Sequence, residues 1–433
     1  LRLNQIMSIF LMMMAVFLVF VFLGIPVSFS IGLSTVAAVL AKGMPLAFVS
    51  QMAFTGLDSY TYLAIPMFIL AGYLMETGGL SKRLVNFAAS LVGNIHGGLG
   101  IITVLACAFF AAISGSSPGT VAAVGAMMIP PMVEKGYDRD FSAALTASAG
   151  SLGVLIPPSI PMVLYCIAGE VSIGEMFMAG FIPGFLMTAA LALTTYVISK
   201  KNGYKSDEGE FEWKKVAASF KEAIWPLLAP VIILGGIYSG IFTPTEAAVV
   251  VVVYSMFVGL FITKELKVSD LPGILYKGAV TAGTTVFILA FAMAFSRYLT
   301  LNQIPQLIGS VILGITGNVH VILILFVLLC FVTGTFLETA SQVLIYTPLF
   351  LPTLKGLGVS PLHFGILLTV GTMLGMMTPP VGINLFVAQG ISGAKISKMT
   401  KAILPFLFVM LFVQILFVFF PGFSTFLPGL FSK

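Results

Sequence analysis

Apolar runs long enough for membrane helices fill most of this chain, and they constrain its fold more than any other feature. At about 20 residues per span, the runs predict roughly eleven to thirteen helical segments. Only 9% of the residues are charged, whereas about 25% is typical of a soluble globular chain. The net charge of +5 is scattered rather than gathered into a basic patch. A water-soluble enzyme and a nucleic-acid binder are therefore excluded, and we expect a multi-pass membrane protein that is not an enzyme.

One polar segment interrupts the apolar pattern near the middle of the chain. Residues 200–222 carry both signs of charge, including six lysines, and this favours a cytoplasmic location. Residues 211–225 have an amphipathic pattern, typical either of a solvated connector or of a helix in the lipid headgroups. We divide the chain into residues 1–199, 200–224 and 225–433: a first repeat half, the connector and a second repeat half.

Short motifs recur in the same order in the two halves. The string GNIH at residues 93–96 is matched by GNVH at 317–320. SGSS at 114–117 is matched by TGTF at 333–336, and the Pro157-Pro158 pair by a second pair at 379–380. These matches predict an internal duplication. In membrane proteins, duplicated halves usually serve alternating access, with the ligand site at broken helices near the midplane.

Two helix breaks are predicted in each half. The first is a polar glycine-rich turn, residues 114–120 and 333–341, typical of a helical hairpin or of two separate spans. The second is a glycine-dotted helix that stops at a Pro-Pro pair, residues 147–159 and 370–382. Proline donates no N–H and pushes the preceding residue out of helical conformation. Carbonyl groups are therefore left without helical partners, which is costly at membrane depth unless a ligand occupies them.

Na⁺ is the ion that these breaks suit best, because a hard cation prefers oxygen ligands and carboxylates are scarce here. The hydroxyl candidates are Ser114, Ser116, Ser117 and Thr120 in the first half, and Thr333, Thr335, Thr339, Thr372 and Thr378 in the second. Helix N-termini after each turn could face a carboxylated substrate. Close packing of small residues is the competing structural interpretation. Glu338 fits either a proton relay or a structural acceptor of backbone N–H groups.

Five strings resemble the large membrane subunit of TRAP (tripartite ATP-independent periplasmic) transporters. They are IPMFILAG (65–72), ISGSSPGT (113–120), LGVLIPPSI (152–160), GIFTPTEAA (240–248) and MTPPVGINLF (377–386). The resemblance implies an all-α polytopic membrane protein with two inverted repeats, each with a re-entrant helical hairpin and a broken helix. It further implies a scaffold and an elevator-type transport domain that imports an organic acid with Na⁺. Sialic acid is our first expectation, with C4-dicarboxylates as the other class.

The same resemblance implies the residues of the two sites. For the substrate they are Ser116, Ser117, Thr120, Pro158, Thr335, Pro380 and Asn384. For Na⁺ they are Ser114, Gly115, Ser117, Gly150, Gly153, Leu155, Pro157, Gly334, Thr335, Glu338, Thr339, Thr372, Met377 and Pro379. Because SGSSPGT and TGTFLETAS differ, we expect the two cation sites to differ in detail.

Partners and alternatives complete the expectations. The resemblance implies a bacterial inner-membrane protein that works with a small four-helix membrane subunit, expected as a separate chain, and a periplasmic substrate-binding protein. The main alternative is a stand-alone divalent-anion transporter of similar inverted-repeat architecture, which would need no binding protein. A channel is the alternative from another class, and it would conduct without ion coupling.

Overall fold

The computed structural model describes residues 2–93, 95–204, 212–379 and 382–431, and in these ranges the fold is all-helical. The first ten helices are α1 (Arg2–Phe22), α2 (Val27–Ala41), α3 (Ala47–Leu57), α4 (Ala64–Thr77), α5 (Leu80–Leu91), α6 (Gly98–Ser114), α7 (Ser117–Glu134), α8 (Arg139–Gly150), α9 (Ile160–Gly169) and α10 (Ile173–Asn202). The others are α11 (Trp213–Tyr238), α12 (Pro244–Phe257), α13 (Leu271–Leu301), α14 (Ile304–Ile315), α15 (Val319–Gly334), α16 (Thr339–Gly356), α17 (Pro361–Met376), α18 (Ile383–Ser392), α19 (Ile396–Phe419) and α20 (Gly422–Phe431).

The duplication extends to the lengths of the helices. Helices α7 and α16 both have 18 residues. Helices α9 and α18 both have 10 residues. The amphipathic helices α5 and α14, which both precede the first arm of a hairpin, both have 12 residues. These counterparts follow one another in the same order, so the two halves are two copies of one helical pattern.

One element differs between the copies. In the second half, α13 is a continuous helix of 31 residues. In the first half the equivalent stretch is divided into α3 and α4, with a 70° bend. The break contains Asp58 and Ser59, and the Tyr60 carbonyl accepts a hydrogen bond of 3.3 Å from the Thr245 hydroxyl of α12. The polar sequence and this contact from the other half hold the bend.

The lengths of the helices divide them into two groups. Among the described residues, five helices are long and apolar enough to cross a membrane, or up to seven if each bent pair counts as one span. Seven further apolar helices have only 10 to 17 residues. They include one hairpin arm, α6, and halves of the broken helices, such as α9, α17 and α18. The described residues form twenty helices where eleven to thirteen segments were expected, because an estimate based on spans of about 20 residues leaves out short helices such as α9 and α18.

The amphipathic segment of the connector is not a separate helix, as the sequence pattern suggested, but part of α11. Residues 205–211, including the predicted stripe residue Phe211, lie outside the described residues. From Trp213 the amphipathic segment continues without interruption into the apolar part of α11. Phe220 packs on Phe87 of α5 with ring centroids 5.6 Å apart. The amphipathic segment is therefore the first part of a longer helix and is attached to α5.

The two halves interlock around their breaks. Helix α18, which follows the second Pro-Pro pair, packs on α7 of the first hairpin. Helix α9, which follows the first pair, packs on α16 of the second half. Each half thus completes the packing of the other half's hairpin. On one side of this core, α13 packs against α2, α3 and α4.

Candidate functional site

The first hairpin makes its turn at Gly115 and Ser116, between α6 and α7. Gly115 has a left-handed φ of +58°, which glycine adopts without steric cost. The Ser116 hydroxyl then caps α7 by accepting from the Gly119 N–H at 3.4 Å. Ser114 Oγ and Thr120 Oγ1 lie 2.8 Å apart across the turn. The sequence SGSSPGT therefore forms a tight tip that gathers hydroxyl and carbonyl oxygens.

Each hairpin tip contacts the chain that follows its own Pro-Pro pair. In the first half the Gly115 carbonyl accepts from the Ile160 N–H at 3.2 Å. In the second half the Thr335 carbonyl accepts from the Gly382 N–H at 3.3 Å. The first approach is close, because a Cβ on Gly115 would lie 2.8 Å from the Pro158 carbonyl oxygen. The same backbone contact thus joins tip and break in both halves.

Gly153 lies beside the oxygens of the first tip. A Cβ on this glycine would lie 2.4 Å from the Ser116 carbonyl oxygen and 2.6 Å from Thr120 Oγ1. These are neutral oxygen donors, the kind that a hard cation prefers. No group of three or more His, Cys, Asp or Glu able to hold a metal occurs in the described part of the chain. The oxygens at this tip are therefore a hydroxyl and a carbonyl of the type that binds hard cations.

Of three other predicted ligands of the first half, only Gly150 lies against this hairpin. Gly150 packs against α7, where a Cβ would lie 2.3 Å from Val121. The Leu155 carbonyl and the Pro157 ring lie instead beside Gly180 of α10, at 2.9 and 3.1 Å from the position of a Cβ there. The broken segment thus has one side at the hairpin and another at α10.

The second hairpin has a different polar network. Thr333 Oγ1 donates to the Gln342 side-chain oxygen at 3.0 Å and accepts from the Tyr346 hydroxyl at 2.7 Å. Gly334 and Gly375 meet backbone to backbone, and a Cβ on Gly375 would lie 2.3 Å from the Gly334 Cα. A glutamine amide and a tyrosine therefore stand where the first half has the Ser114–Thr120 pair.

The remaining second-half residues occupy distinct places. Thr339 is buried at the start of α16, and its hydroxyl lies 2.8 Å from the sulfur of the methionine that ends α17. The Thr372 hydroxyl bonds to a carbonyl of its own helix at 2.9 Å. Met377 is buried and Pro379 partly buried. Glu338 precedes α16 with an exposed side chain that makes no capping hydrogen bond.

Asn384 joins the two halves. It follows the second Pro-Pro pair, of which Pro380 lies outside the described residues. Its side-chain N–H₂ donates to Ser117 Oγ at 2.7 Å and to the Ala147 carbonyl at 3.1 Å. Asn384 and Ser117 are both fully buried. The structure therefore places Asn384 at the first hairpin, although it belongs to the second half of the sequence.

A cavity of about 80 Å³ opens beside the first tip. Ser114, Ser116 and Gly119 form its hairpin side, and residues of α4 and α13 form the other side. On that other side the Tyr73 hydroxyl lies 3.0 Å from Thr281 Oγ1. A small polar ligand in this cavity would touch the hairpin and α13 together.

Several residues around the cavity and the second hairpin were not predicted from the sequence to have a role. They are Tyr73, Thr281, Gln342 and Tyr346, together with Glu76, which the sequence places only near a helix end. The two-fold pattern could have indicated Gln342, because the displacement that carries Pro130 onto Pro352 also carries Thr120 onto Gln342. Nothing in the sequence pairs Tyr73 with Thr281, which lie in different halves of the chain.

The chain matches one protein family over residues 14–423, described as "Tripartite ATP-independent periplasmic transporter, DctM component". The isethionate TRAP transporter permease protein DctMQ of Oleidesulfovibrio alaskensis is 42% identical over 95% of this chain. The chain spans 65% of the length of that relative.

Two further relatives match nearly end to end. The C4-dicarboxylate TRAP transporter large permease protein DctM of Rhodobacter capsulatus is 40% identical over 94% of this chain and 96% of its own. The sialic acid TRAP transporter large permease protein SiaM of Vibrio cholerae is 36% identical over 95% of this chain and 96% of its own. The family expectation is confirmed, and the sialic-acid branch is one of several related members.

The fold is also found in a solved structure. The crystal structure of the Alcanivorax borkumensis YdaH transporter matches 87% of this chain and 88% of its own with a TM-score of 0.66, at 15% identity. This likeness supports the all-helical architecture. The chain belongs to the DctM family of tripartite ATP-independent periplasmic transporters, as a large-permease membrane protein.

Proposed function

We propose that this chain imports an organic acid across a bacterial inner membrane by Na⁺-coupled, elevator-type alternating access. The observation that carries the proposal is the repeated contact between hairpin tip and broken helix, Gly115 with Ile160 and Thr335 with Gly382. Such paired breaks expose backbone groups to a polar ligand where continuous helices would not. Two equivalent breaks of this kind fit a transporter better than a passive bundle.

Na⁺ coupling rests on the oxygens of the first tip. Ser114 Oγ, Thr120 Oγ1 and the Ser116 carbonyl oxygen lie within hydrogen-bond distance of one another. The absence of a Cβ at Gly153 lets the broken helix approach these oxygens closely. An oxygen cluster without a carboxylate suits a monovalent cation better than a proton. Na⁺ is therefore proposed as a co-transported ion, with the first tip as one of its sites.

The packing between the two halves supports movement of both hairpins and both broken helices as one unit. The Ser117–Asn384 bond and the packing of α9 on α16 join both hairpins and both breaks into one body. The cavity separates part of this body from Tyr73 and Thr281 on α4 and α13. We propose that the joined breaks slide along α4 and α13, which act as the scaffold.

The substrate class follows from the relatives and from the neutral first tip. The relatives are named for isethionate, C4-dicarboxylates and sialic acid, all of which are organic anions. The N-terminus of α7, with Ser116 as its cap, presents backbone N–H groups to the cavity side. An anionic head group near this helix end, with Na⁺ beside it, is the arrangement that we propose.

The partners follow from the family name, which describes a tripartite and periplasmic system. We propose that a small four-helix membrane subunit and a periplasmic substrate-binding protein work with this chain. The relative named DctMQ is longer than the matched region, since this chain spans 65% of its length. That length leaves room in the relative for a further membrane segment.

Reconstitution in liposomes tests the proposal. Uptake of succinate, isethionate and sialic acid would be measured with an inward Na⁺ gradient, with and without the small subunit and each binding protein. We expect uptake only with Na⁺ and all three components. Uptake by this chain alone would contradict the tripartite assignment and favour the stand-alone anion transporter. Flux without Na⁺ dependence or saturation would favour a channel.

A further inference from the structure

A second and larger cleft lies at the far end of α13 from the hairpin cavity. It has a volume of about 470 Å³ and lies between α3 and α13 on one side and α9 and α16 on the other. Its polar lining comes from Thr55, Ser296, Arg297, Thr300, Thr347 and Glu170. Neither the sodium prediction nor the substrate prediction includes any of these residues.

Arg297 is the unusual member of this lining. It lies in the last turns of α13, which ends at Leu301, and its side chain is exposed. Within the described ranges it has neither a hydrogen bond nor an ion pair, so its five N–H donors are free for a ligand. A cation near the end of a span often reaches toward lipid headgroups. Arg297 instead lines a cleft between protein helices, which gives it access to a solute.

The two cavities lie at different heights along the same helix, α13. Thr281 lines the hairpin cavity and Arg297 the larger cleft, and both belong to α13. At about 1.5 Å per residue they are about 24 Å apart along the helix. This distance is close to the thickness of the hydrocarbon core, so a solute that enters at Arg297 must still cross most of the membrane.

Predicted orientation places Arg297 on the periplasmic side. If the connector is cytoplasmic, α11 ends at the periplasmic side, and α12 returns to the cytoplasm. Helix α13 then runs outward again, so that its C-terminal end lies where a binding protein would release its ligand. The larger cleft therefore lies on the side of the membrane from which the substrate enters.

The chemistry of the cleft fits an anion with acidic oxygens. A guanidinium binds carboxylate or sulfonate oxygens through two parallel hydrogen bonds. The hydroxyl of Ser296, which lines the same cleft, supplies a further donor, whereas the Thr300 hydroxyl donates to the Ser296 carbonyl at 2.9 Å. Glu170 lies across the cleft, at the end of α9, with a left-handed φ of +53°. It is not within ion-pair distance of Arg297, so it repels an anion without occupying the guanidinium.

We propose that Arg297 forms an entry site for the carboxylate or sulfonate group of the substrate. The site captures the anion on the periplasmic side before it reaches the first hairpin tip. This inference rests on the proposed organic-acid transport. Arg297 contacts the substrate on its way in, and Glu170 limits how tightly the anion is held.

Thiol labelling measures the anion preference without any transport. Thr300→Cys places a thiol in the cleft beside Arg297, and the native cysteines Cys107, Cys166 and Cys330 are all buried. The probes are 2-sulfonatoethyl methanethiosulfonate, an anion, and its trimethylammonium analogue, a cation. We expect the ratio of anionic to cationic labelling rates to fall roughly tenfold when Arg297→Gln is added, from the change in local charge. An unchanged ratio would overturn the proposal.

The matched control removes the same charge from the other end of the same helix. Lys277→Gln in the Thr300→Cys background is expected to leave the ratio unchanged, because Lys277 lies about 35 Å away along α13. An equal fall in both variants would mean a general charge effect and would also contradict the entry site. The parent chain without the added cysteine reports labelling of native thiols.

Transport kinetics complete the test in the reconstituted three-component system. Arg297→Gln is expected to raise KM about tenfold with kcat within about twofold, and Arg297→Lys to recover part of the loss. A fall in kcat at unchanged KM would indicate a structural role instead. If no organic acid is taken up by the unmodified system, the proposed function fails, while the labelling ratio still decides whether the cleft prefers anions.

Discussion

The two hairpin tips share one framework but differ in chemistry. In the first, Ser114 and Thr120 close the turn at 2.8 Å. In the second, Thr333 and Gln342 close it at 3.0 Å, across a longer loop. The longer loop contains Glu338, whose side chain is exposed. Both copies therefore keep the contact between hairpin tip and broken helix. The first tip has only neutral oxygens, whereas the second has an amide and a carboxylate.

Equivalent glycines in the two halves both let the broken helix approach its hairpin closely. A Cβ on Gly153 would lie 2.4 Å from the Ser116 carbonyl oxygen and 2.6 Å from Thr120 Oγ1, and a Cβ on Gly375 would lie 2.3 Å from the Gly334 Cα. Both contacts involve main chain, but only the first includes a side-chain hydroxyl. The comparison indicates that both tips are tightly packed and that the first presents an additional oxygen donor at the contact.

Alanine at these two glycines should separate the roles most strongly. Either substitution must push main chain apart, so we expect each to cost about 1–3 kcal/mol of stability. Gly153→Ala also displaces the tip oxygens, so we expect Na⁺-dependent uptake to fall at least about a hundredfold in this variant and less in Gly375→Ala. Uptake assays and thermal unfolding in detergent measure the two effects.

Gly283→Ala is the control for both substitutions, because nothing lies within 4 Å of a Cβ at that position. It should leave uptake and unfolding temperature unchanged. Na⁺ dependence that stays intact in Gly153→Ala, or an equal loss of uptake in Gly375→Ala, would contradict the distinction between the two glycines.

Removal of the bond between the halves is expected to have the next largest effect. Asn384→Ala leaves Ser117 and the Ala147 carbonyl without a buried partner, which costs about 1–3 kcal/mol. We expect a matching fall in unfolding temperature and about a tenfold fall in uptake, because the two hairpins no longer move together.

Ser117→Ala removes the hydroxyl partner but leaves the Ala147 bond, so its effect should be smaller than that of Asn384→Ala. Circular dichroism melts and uptake rates measured side by side provide the ranking. A larger loss of uptake in Ser117→Ala than in Asn384→Ala would mean that Ser117 binds an ion or the substrate directly.

Smaller effects on uptake are expected from the side-chain pairs that close the two turns, Ser114–Thr120 and Thr333–Gln342. Thr120→Ala removes an oxygen from the first tip, and we expect the Na⁺ concentration for half-maximal uptake to rise about tenfold. Gln342→Ala removes the amide of the second tip, and we expect a smaller rise of about threefold, since Tyr346 still bonds to Thr333. Na⁺ titrations of uptake test both, and the reverse order would show that the second tip dominates coupling.

Glu338→Gln is expected to have the smallest effect. The side chain is exposed and makes no capping bond, so removal of its charge should leave the fold intact. We expect a rise of about two- to threefold in the half-maximal Na⁺ concentration from the lost charge. The pH profile of uptake should stay unchanged. A shifted profile with weaker Na⁺ stimulation would instead assign a proton role to Glu338.

The breaks themselves were largely predictable from sequence, for a local reason. Pro157, Pro379 and the glycines around them end helices because their backbone restrictions do not depend on the rest of the fold. The matched spacing of the motifs likewise predicted equivalent helices such as α7 and α16. Hydrogen-bond partners were harder to predict from the sequence. The clearest case is the bond between Ser117 and Asn384, which lie in opposite halves of the chain.

Sequence alone determined that this chain lies in a membrane, that it is duplicated, and where its helices break. Scarcity of charge and the placement of proline and glycine are enough for those conclusions, since each acts locally. The tertiary structure decided which break meets which hairpin, that Gly153 lies against Ser116 and Thr120 while Gly375 lies against Gly334, and that Arg297 lines a cleft. These outcomes depend on how helices far apart in the sequence pack. Apolar helices have similar compositions, so their sequences contain little information about which helices they pack against.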